Sequence, residues 1–277
     1  ISFSMSLTFI LYTYKSLVVL GITKYAPFLS LFSFIKIGCL NLSLISNICE
    51  DIKKLSPLSD IIIVTNQSDV LSAKARRILD KQQIYGLGCY IDTIRFKNIF
   101  IKEAQKEDIS LQINDVRAYI LGYHNKYLFL DENTFQINHP IENIEQLINK
   151  SIDKTIIRGK EISDLQKDVH IPNLNSGSSK LPAAALFNII QSYTQPNENI
   201  EIPLNRLLTT DEKEQIGEIP NLSAQLICNI KRNRIIPVTT FLSHNNINKI
   251  KEGADFIGQE LQKLETQTLL ITNERSR

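Results

Sequence analysis

The stretch from Asn41 to Leu71, NLSLISNICEDIKKLSPLSDIIIVTNQSDVL, carries the pattern that decides the fold class. Its first part predicts a helix, because apolar residues recur at helical spacing and are followed by two lysines and Pro57. The run from Ile61 to Val64 is apolar without polar alternation, which is typical of a parallel strand covered on both faces. Thr65 and Asn66 end this strand. The stretch therefore predicts one helix and one buried strand of a layered fold.

The alternation of helices and strands continues towards the C-terminus. Further helices are predicted at Val70 to Leu79, Ile91 to Glu107, Ile141 to Ile156, Pro182 to Tyr193 and Ile247 to Leu264. Further strands are predicted at Ile84 to Gly88, Val116 to Gly122, Ile200 to Leu204, Ala224 to Ile230 and Ile235 to Thr240. The polar segment from Asp168 to Ser179 is predicted as a loop. Strands that alternate with helices in this way predict an α/β fold with a parallel sheet.

The first 49 residues differ in composition from the rest of the chain. They contain no acidic residue, and Lys15, Lys24 and Lys36 are their only charges. The uncharged runs between these lysines are shorter than the roughly 20 apolar residues that a membrane-spanning helix needs. A membrane-attached segment from Ile1 to Cys49 is therefore an alternative that the pattern disfavours, and no cleavage pattern of a secretory signal follows it.

The overall charge and the cysteines exclude several classes of protein. The 277 residues include 31 basic and 29 acidic side chains, and no concentrated basic patch suggests a nucleic-acid partner. The four cysteines have spacings that fit neither a paired zinc motif nor a small disulfide framework. We therefore expect no metal site, no nucleic-acid partner and a reducing, cytoplasmic location.

Four polar residues follow strand-like runs and are candidates for a site. They are Asn66, Asp92, Arg95 and His124, and ligands in open α/β sheets collect at the carboxyl ends of strands. A histidine exchanges a proton near neutral pH, a carboxylate can orient it, and an arginine can hold a substrate carboxylate through two hydrogen bonds. Each residue alone also fits a structural role: a turn, a helix cap, a surface ion pair or a partly buried histidine. Spacing by itself leaves both interpretations open.

Three ordered motifs resemble the lactate/malate dehydrogenase family. The stretch from Asn41 to Leu71 resembles the helix and strand that end in the family's Thr-Asn-Pro-x-Asp turn. IYGLGCYIDTIRFK resembles the Ile-Gly-x-Gly-x-x-Leu-Asp-x-x-Arg-Phe block, with Asp92 and Arg95 at its motif positions. VRAYILGYHNK resembles the strand that ends in Gly-x-His-Gly-Asp and aligns His124 with the family's histidine. Weaker similarity continues to about Leu264.

The resemblance implies an NAD-dependent oxidoreductase that interconverts a 2-hydroxy acid and a 2-oxo acid, either lactate and pyruvate or malate and oxaloacetate. It implies His124 as the acid/base, Asp92 as its orienting partner and Arg95 as the carboxylate clamp. Asn66 would contact substrate and cofactor, Thr65 the cofactor, and Ser179 the substrate. The family also implies a homodimer or homotetramer.

The implied architecture is an atypical or truncated Rossmann-type parallel sheet followed by the α+β substrate domain of lactate/malate dehydrogenases. We predict an unmatched apolar segment at residues 1–40, a remnant of the NAD-binding domain at 41–90, and the substrate domain at 91–277.

The expected phosphate-binding loop, Gly-x-Gly-x-x-Gly, has no recognisable counterpart. Only Gly21 and Gly38 occur before Gly86. Gln67 stands where the family has proline, and Asn125-Lys126 replaces the Gly-Asp after the histidine, so that Lys126 would disfavour an imidazolium at His124. The alternative hypothesis is a catalytically impaired homologue that acts as a binding or oligomerisation partner, or a pseudogene product.

Overall fold

The computed structural model of the chain describes residues 5–11, 17–24, 31–80, 83–124, 127–168, 177–195 and 197–275. Its helices are α1 (Leu31–Leu55), α2 (Ser68–Leu79), α3 (Cys89–Gln105), α4 (Ile144–Asp168), α5 (Gly177–Thr194), α6 (Thr210–Ile216) and α7 (His244–Arg275). Its strands are β1 (Met5–Leu11), β2 (Leu17–Lys24), β3 (Asp60–Ile63), β4 (Ile84–Gly86), β5 (Val116–Arg117), β6 (Ile120–Leu121), β7 (Phe129–Leu130), β8 (Gln136–Ile137), β9 (Asn199–Leu207), β10 (Ser223–Lys231) and β11 (Arg234–Pro237).

A mixed sheet forms the middle layer, with strand order β1-β2-β3-β4-β9-β10-β11. Strands β2, β3 and β4 run parallel, as the apolar pattern predicts, whereas the remaining neighbours pair antiparallel. In β3, Ile61, Ile62 and Ile63 are all completely buried. Ile61 and Ile63 pack into the cluster that includes α1, α2 and α7, whereas Ile62 packs against α5 on the other face. A strand covered on both faces has no position for a polar side chain, and this explains the run without alternation.

The beginning of the chain contributes to this sheet. Residues 5–11 and 17–24 form an antiparallel pair, and Leu17 to Leu20 of β2 align with Asp60 to Ile63 of β3. Helix α1 begins at Leu31, so the expected domain boundary after residue 40 lies inside a helix. Gly38 does not stop that helix. A Cβ there would lie 2.8 Å from a side-chain carbon of Leu264, so the glycine allows α1 to approach α7 closely.

Two local predictions are wrong. The expected strand from Val116 to Gly122 is divided into β5 and β6, which pair with different partners, β8 and β7. The ends of the expected loop from Asp168 to Ser179 are helical instead, because α4 extends to Asp168 and α5 begins at Gly177. Residues 169–176 lie outside the described residues. Glycine and serine at 177–179 have low helix propensity, but propensity is a weak term that the surrounding helix overrides.

Helices α3 and α4 are joined by a charge cluster around Glu103, whose side chain is 4% exposed. Its carboxylate lies 2.6 Å from the ammonium nitrogen of Lys106, 2.7 Å from that of Lys154 and 2.9 Å from that of Lys150. Hydrogen bonds from Lys106, Lys154 and Lys150 lower the pKa of Glu103 to about 2. The cluster therefore stabilises the ionised carboxylate in the folded chain.

We expect Glu103→Gln to reduce stability at neutral pH but to matter little in strong acid. A depressed pKa contributes stability that is fully present above the ordinary value of 4.5 and is lost as the pH falls towards about 2. Urea unfolding of both proteins at several pH values measures this difference. Glu161→Gln, in an exposed pair with Arg158, is the control and should change little at any pH. A Glu103→Gln effect that stays constant across the acid range would contradict the explanation.

Within the described residues, no helix combines the length and the apolar character that crossing a bilayer requires.

Candidate active site

A small cavity lies at the carboxyl end of β3, where the chain turns into α2. Its volume is about 180 Å³. This is below the roughly 300 Å³ at the lower end of pockets that hold drug-sized ligands, so it suits a small molecule and not a whole dinucleotide. The residues that line it come from this turn, from the loop after β6 and from α7: Asn66, Gln67, Ser68, Asp69, Val70, His124 and Ile257. The structure thus brings Asn66 and His124 to one cavity.

His124 and Asp92 form a hydrogen-bonded pair at this site. The distance between His124 Nδ1 and Asp92 Oδ2 is 2.5 Å. Asp92 occupies the first turn of α3 and its side chain is 2% exposed, whereas that of His124 is 38% exposed. Because Nδ1 faces the carboxylate, Nε2 is the ring nitrogen that remains for a ligand. The buried carboxylate thus orients an accessible imidazole.

The environment raises the pKa of His124 above its ordinary value of 6.5. The main cause is the charge of Asp92, supported by its hydrogen bond and by the charge of Asp69, and opposed by burial and by Arg95. A raised histidine pKa means that the protonated form stabilises the fold below about pH 6.5, and this contribution is lost as the pH rises through the raised value. The ring therefore keeps its proton to a higher pH than a free imidazole does.

Arg95 lies on the far side of Asp92 from His124. Its Nη1 donates to Asp92 Oδ1 at 2.6 Å, and its side chain is 13% exposed. The same nitrogen would lie 3.3 Å from a Cβ at Gly159, so the guanidinium sits against α4. Among the described residues Arg95 does not line the cavity, and it contacts the acid/base pair through Asp92. Its role as a carboxylate clamp stays a prediction.

The other predicted site residues have less definite positions. Thr65 is buried directly before Asn66. Ser179 falls in the first turn of α5, and its side chain is outside the described part of the structure, as are Asn125 and Lys126. The expected effect of Lys126 on His124 therefore stays a prediction.

Three buried polar residues were missed as site residues: Asp69, Asn205 and Gln225. Asp69 Oδ1 accepts hydrogen bonds from Asn205 Nδ2 at 2.8 Å and Gln225 Nε2 at 2.7 Å, while Oδ2 accepts from the backbone N–H of His124 at 3.3 Å. Asp69 occupies the acidic position of the Thr-Asn-Pro-x-Asp pattern, which was the available signal. For Gln225 the signal was an amide inside a largely apolar strand, which also contains Asn229.

Gln67, at the turn beside the cavity, has left-handed backbone dihedrals, φ 62° and ψ 44°. Proline fixes φ near −65°, so the proline that the family motif has here is incompatible with this backbone. The replacement of the motif's proline by Gln67 therefore goes together with a left-handed backbone at this turn. For a residue with a Cβ, this conformation costs roughly 1–2 kcal/mol.

We expect Gln67→Gly to raise the free energy of unfolding by about 0.5–1 kcal/mol, because glycine adopts a positive φ without strain and offsets part of this gain through its freer unfolded chain. Chemical denaturation measures the change. Ala73→Gly in α2 is the matched control and should lower stability by about 1 kcal/mol, since alanine there has helical dihedrals. If Gln67→Gly destabilises the protein as Ala73→Gly does, the backbone at Gln67 is not strained.

Neither glycine before Gly86 is placed to cradle a pyrophosphate. Gly21 lies inside β2 opposite Thr8, and Gly38 lies inside α1. A phosphate-binding turn needs glycines between a strand and the N-terminus of the next helix. The described residues therefore do not fit the phosphate end of NAD. Within the same residues, no cluster of three or more histidine, cysteine, aspartate or glutamate side chains is suited to a metal ion.

Comparisons with known proteins agree on one group of enzymes, although no family model matches the chain. The malate dehydrogenase of Thermoplasma volcanium is 24% identical over 229 residues, which cover 80% of this chain and 62% of the relative. The chain is thus similar in sequence to malate dehydrogenases. Among solved structures, malate dehydrogenase from Plasmodium falciparum in complex with NADH superposes with a TM-score of 0.63 at 22% identity, covering 82% of this chain and 72% of that one. L-lactate dehydrogenase from Clostridium thermocellum superposes with a TM-score of 0.67 at 15% identity, covering 88% and 76%.

The two superpositions confirm the predicted fold class, a Rossmann-type α/β sheet like that of malate and lactate dehydrogenases. The matched stretch covers 50% to 62% of the length of the first curated relatives. The sequence similarity therefore extends over only a part of such a protein.

Proposed function

We propose that this chain provides the substrate-binding and acid/base part of an NAD-dependent dehydrogenase that interconverts a 2-hydroxy acid and a 2-oxo acid. The observation that carries the proposal is the His124–Asp92 pair, 2.5 Å apart, whose histidine lines a cavity of about 180 Å³. An oriented imidazole beside a small-acid cavity suits the exchange of one proton with the substrate oxygen. Relatives that share this fold are malate and lactate dehydrogenases.

The described residues have distinct tasks in this proposal. In the reductive direction, the protonated His124 donates its Nε2 proton to the oxygen of the 2-oxo acid, while Asp92 stabilises the imidazolium. In the oxidative direction, the neutral ring accepts the hydroxyl proton. Asn66, which is exposed at the cavity, donates a hydrogen bond to the same oxygen. Arg95, which pairs with Asp92 and does not line the cavity, is the proposed partner of the substrate carboxylate. Ser179 is a further proposed substrate contact, and Thr65 and Asn66 are proposed cofactor contacts.

NAD would supply or accept the hydride in such a reaction. Since Gly21 and Gly38 lie within β2 and α1, the described residues provide no phosphate cradle. The proton exchange at His124 is thus the step that the described residues of this chain account for.

The same observation favours a second candidate function, a family homologue that binds a small acid without oxidising or reducing it. Such a protein needs the cavity and the polar residues around it, but no phosphate cradle. This second function includes a role as an oligomerisation partner, because the resemblance to lactate/malate dehydrogenases implies a homodimer or homotetramer. Light scattering coupled to gel filtration tests the predicted self-association.

Two measurements on the purified protein separate these functions. Consumption of NADH in the presence of pyruvate or oxaloacetate would support the dehydrogenase, and the faster substrate would distinguish lactate-type from malate-type activity. Calorimetric binding of either acid without NADH binding or turnover would support the non-catalytic homologue. Absence of both turnover and acid binding would overturn both functions.

A further inference from the structure

Buried polar side chains from α2, β9 and β10 are hydrogen-bonded to one another beside the proposed site. Asp69 in α2, Asn205 in β9 and Gln225 in β10 form this set, which we call the Asp69 network. Asp69 is 4% exposed, Asn205 1% and Gln225 completely buried. Buried polar groups of this kind are costly unless they are hydrogen-bonded, and they specify one arrangement when they are.

Gln225 links this network to both halves of the acid/base pair. Its side-chain oxygen accepts the backbone N–H of Cys89 at 3.2 Å, in the helix turn that carries Asp92. Its backbone exchanges hydrogen bonds of 3.0 and 2.9 Å with Gly122, two residues before His124. A Cβ added at Gly88 would lie 2.5 Å from Gln225 Nε2 and 2.9 Å from His124 Cβ. The side chains of Gln225 and His124 thus both pack against Gly88.

Asp69 connects the backbone of His124 to the side chains of Asn205 and Gln225. Its Oδ2 accepts the backbone N–H of His124, while its Oδ1 accepts the two amide donors. Asn205 is held in turn by Arg76, whose Nη1 donates to its side-chain oxygen at 2.8 Å. Arg76 also donates to the backbone oxygens of Ile84 and Asn205. Asp69 and Gln225 are therefore fixed in orientation before a substrate binds.

We infer that Asp69 and Gln225 are positioning residues for the His124–Asp92 pair: Asp69 fixes the backbone of His124, and Gln225 holds the turns that carry both partners. This inference rests on the proposed function and deepens it. An imidazole and a carboxylate on two different segments keep a short hydrogen bond only if both backbones are held in register. Misplacement by about 1 Å can reduce a rate by roughly 100-fold.

The alternative is that the network only stabilises the fold. Another buried polar cluster on the same strand offers a matched control: Arg206, next to Asn205, pairs with Glu212. Glu212→Gln should destabilise the protein without contact with His124. If substitutions in the Asp69 network change His124 and Glu212→Gln does not, the network positions His124 and does not only stabilise the fold.

The test follows the imidazole of His124 by NMR in protein labelled with ¹⁵N-histidine, with His124→Gln to identify its signal among the four histidines. The described charged groups that affect this ring are Asp92 and Arg95 on α3 and Asp69 on α2. We expect Asp69→Asn to lower the pKa of His124 through the loss of both charge and position. Gln225→Met is neutral, so a lower His124 pKa and faster exchange of the Nδ1 proton in this variant report position alone.

In an active protein, both substitutions should reduce kcat by about 10- to 100-fold with less than about a threefold change in KM. If the wild-type protein has no turnover, the proposed function fails, but the NMR result still decides the inference. The inference is overturned if folded Asp69→Asn and Gln225→Met leave His124 unchanged, or if Glu212→Gln shifts it equally.

A measurement on the wild-type protein covers the case in which these variants do not fold. The backbone amide of His124 should be protected from hydrogen exchange because Asp69 accepts its N–H. Exchange at the rate of an exposed loop amide would overturn the inference.

Discussion

Replacing His124 by glutamine is expected to reduce kcat for a 2-oxo acid by about 10²- to 10⁴-fold, the range that general acid/base catalysis contributes. Glutamine keeps a polar side chain of similar reach but cannot deliver a proton near neutral pH. Because Asp92 Oδ2 lies 2.5 Å from Nδ1 and orients the ring, Asp92→Asn should cause a loss of similar order. Steady-state kinetics with NADH and oxaloacetate or pyruvate measure both losses.

His139→Gln is the control for this prediction. His139 is exposed outside the cavity, and its replacement should leave kcat unchanged. Circular dichroism establishes that the variants are folded. If the wild-type protein turns over and folded His124→Gln retains its kcat, His124 is not the acid/base.

The second large effect is expected on stability: Glu212→Gln should lower the free energy of unfolding by about 3–5 kcal/mol. Arg206 and Glu212 are 1% and 0% exposed and form two parallel hydrogen bonds, of 2.7 and 2.8 Å. The glutamate also accepts the backbone N–H groups of Thr209 and Thr240. Removing its charge leaves the buried guanidinium of Arg206 without its counter-charge, and desolvation makes this costly.

Chemical denaturation of the variant and the wild-type protein measures this loss. The exposed pair of Arg158 and Glu161 provides the control, because Glu161→Gln should cost less than about 1 kcal/mol. Equal costs for the buried and the exposed pair would show that burial does not amplify the interaction between Arg206 and Glu212.

Several features of this protein follow from local sequence alone. The apolar run at Ile61 to Val64 predicts a strand covered on both faces, because every position in such a strand meets a hydrophobic layer. Apolar residues at helical spacing predict α2 and α7, although α7 extends beyond the expected end at Leu264. The two motifs that contain Asp92 and His124 give the resemblance to the lactate/malate dehydrogenases, because short fixed spacings reflect a local turn or helix.

Only the tertiary structure decided which polar groups meet. Asp92 and His124 are 32 residues apart, and Asp69 and Gln225 are 156 apart, so no local periodicity relates them. The strand pattern does not show that Gln225 of β10 contacts Asp69 and Cys89, which belong to distant elements. Likewise, Arg95 proved to pair with Asp92, which spacing alone could not distinguish from a free clamp. Periodicity reports which face of an element is buried, whereas hydrogen-bond partners depend on how distant elements pack.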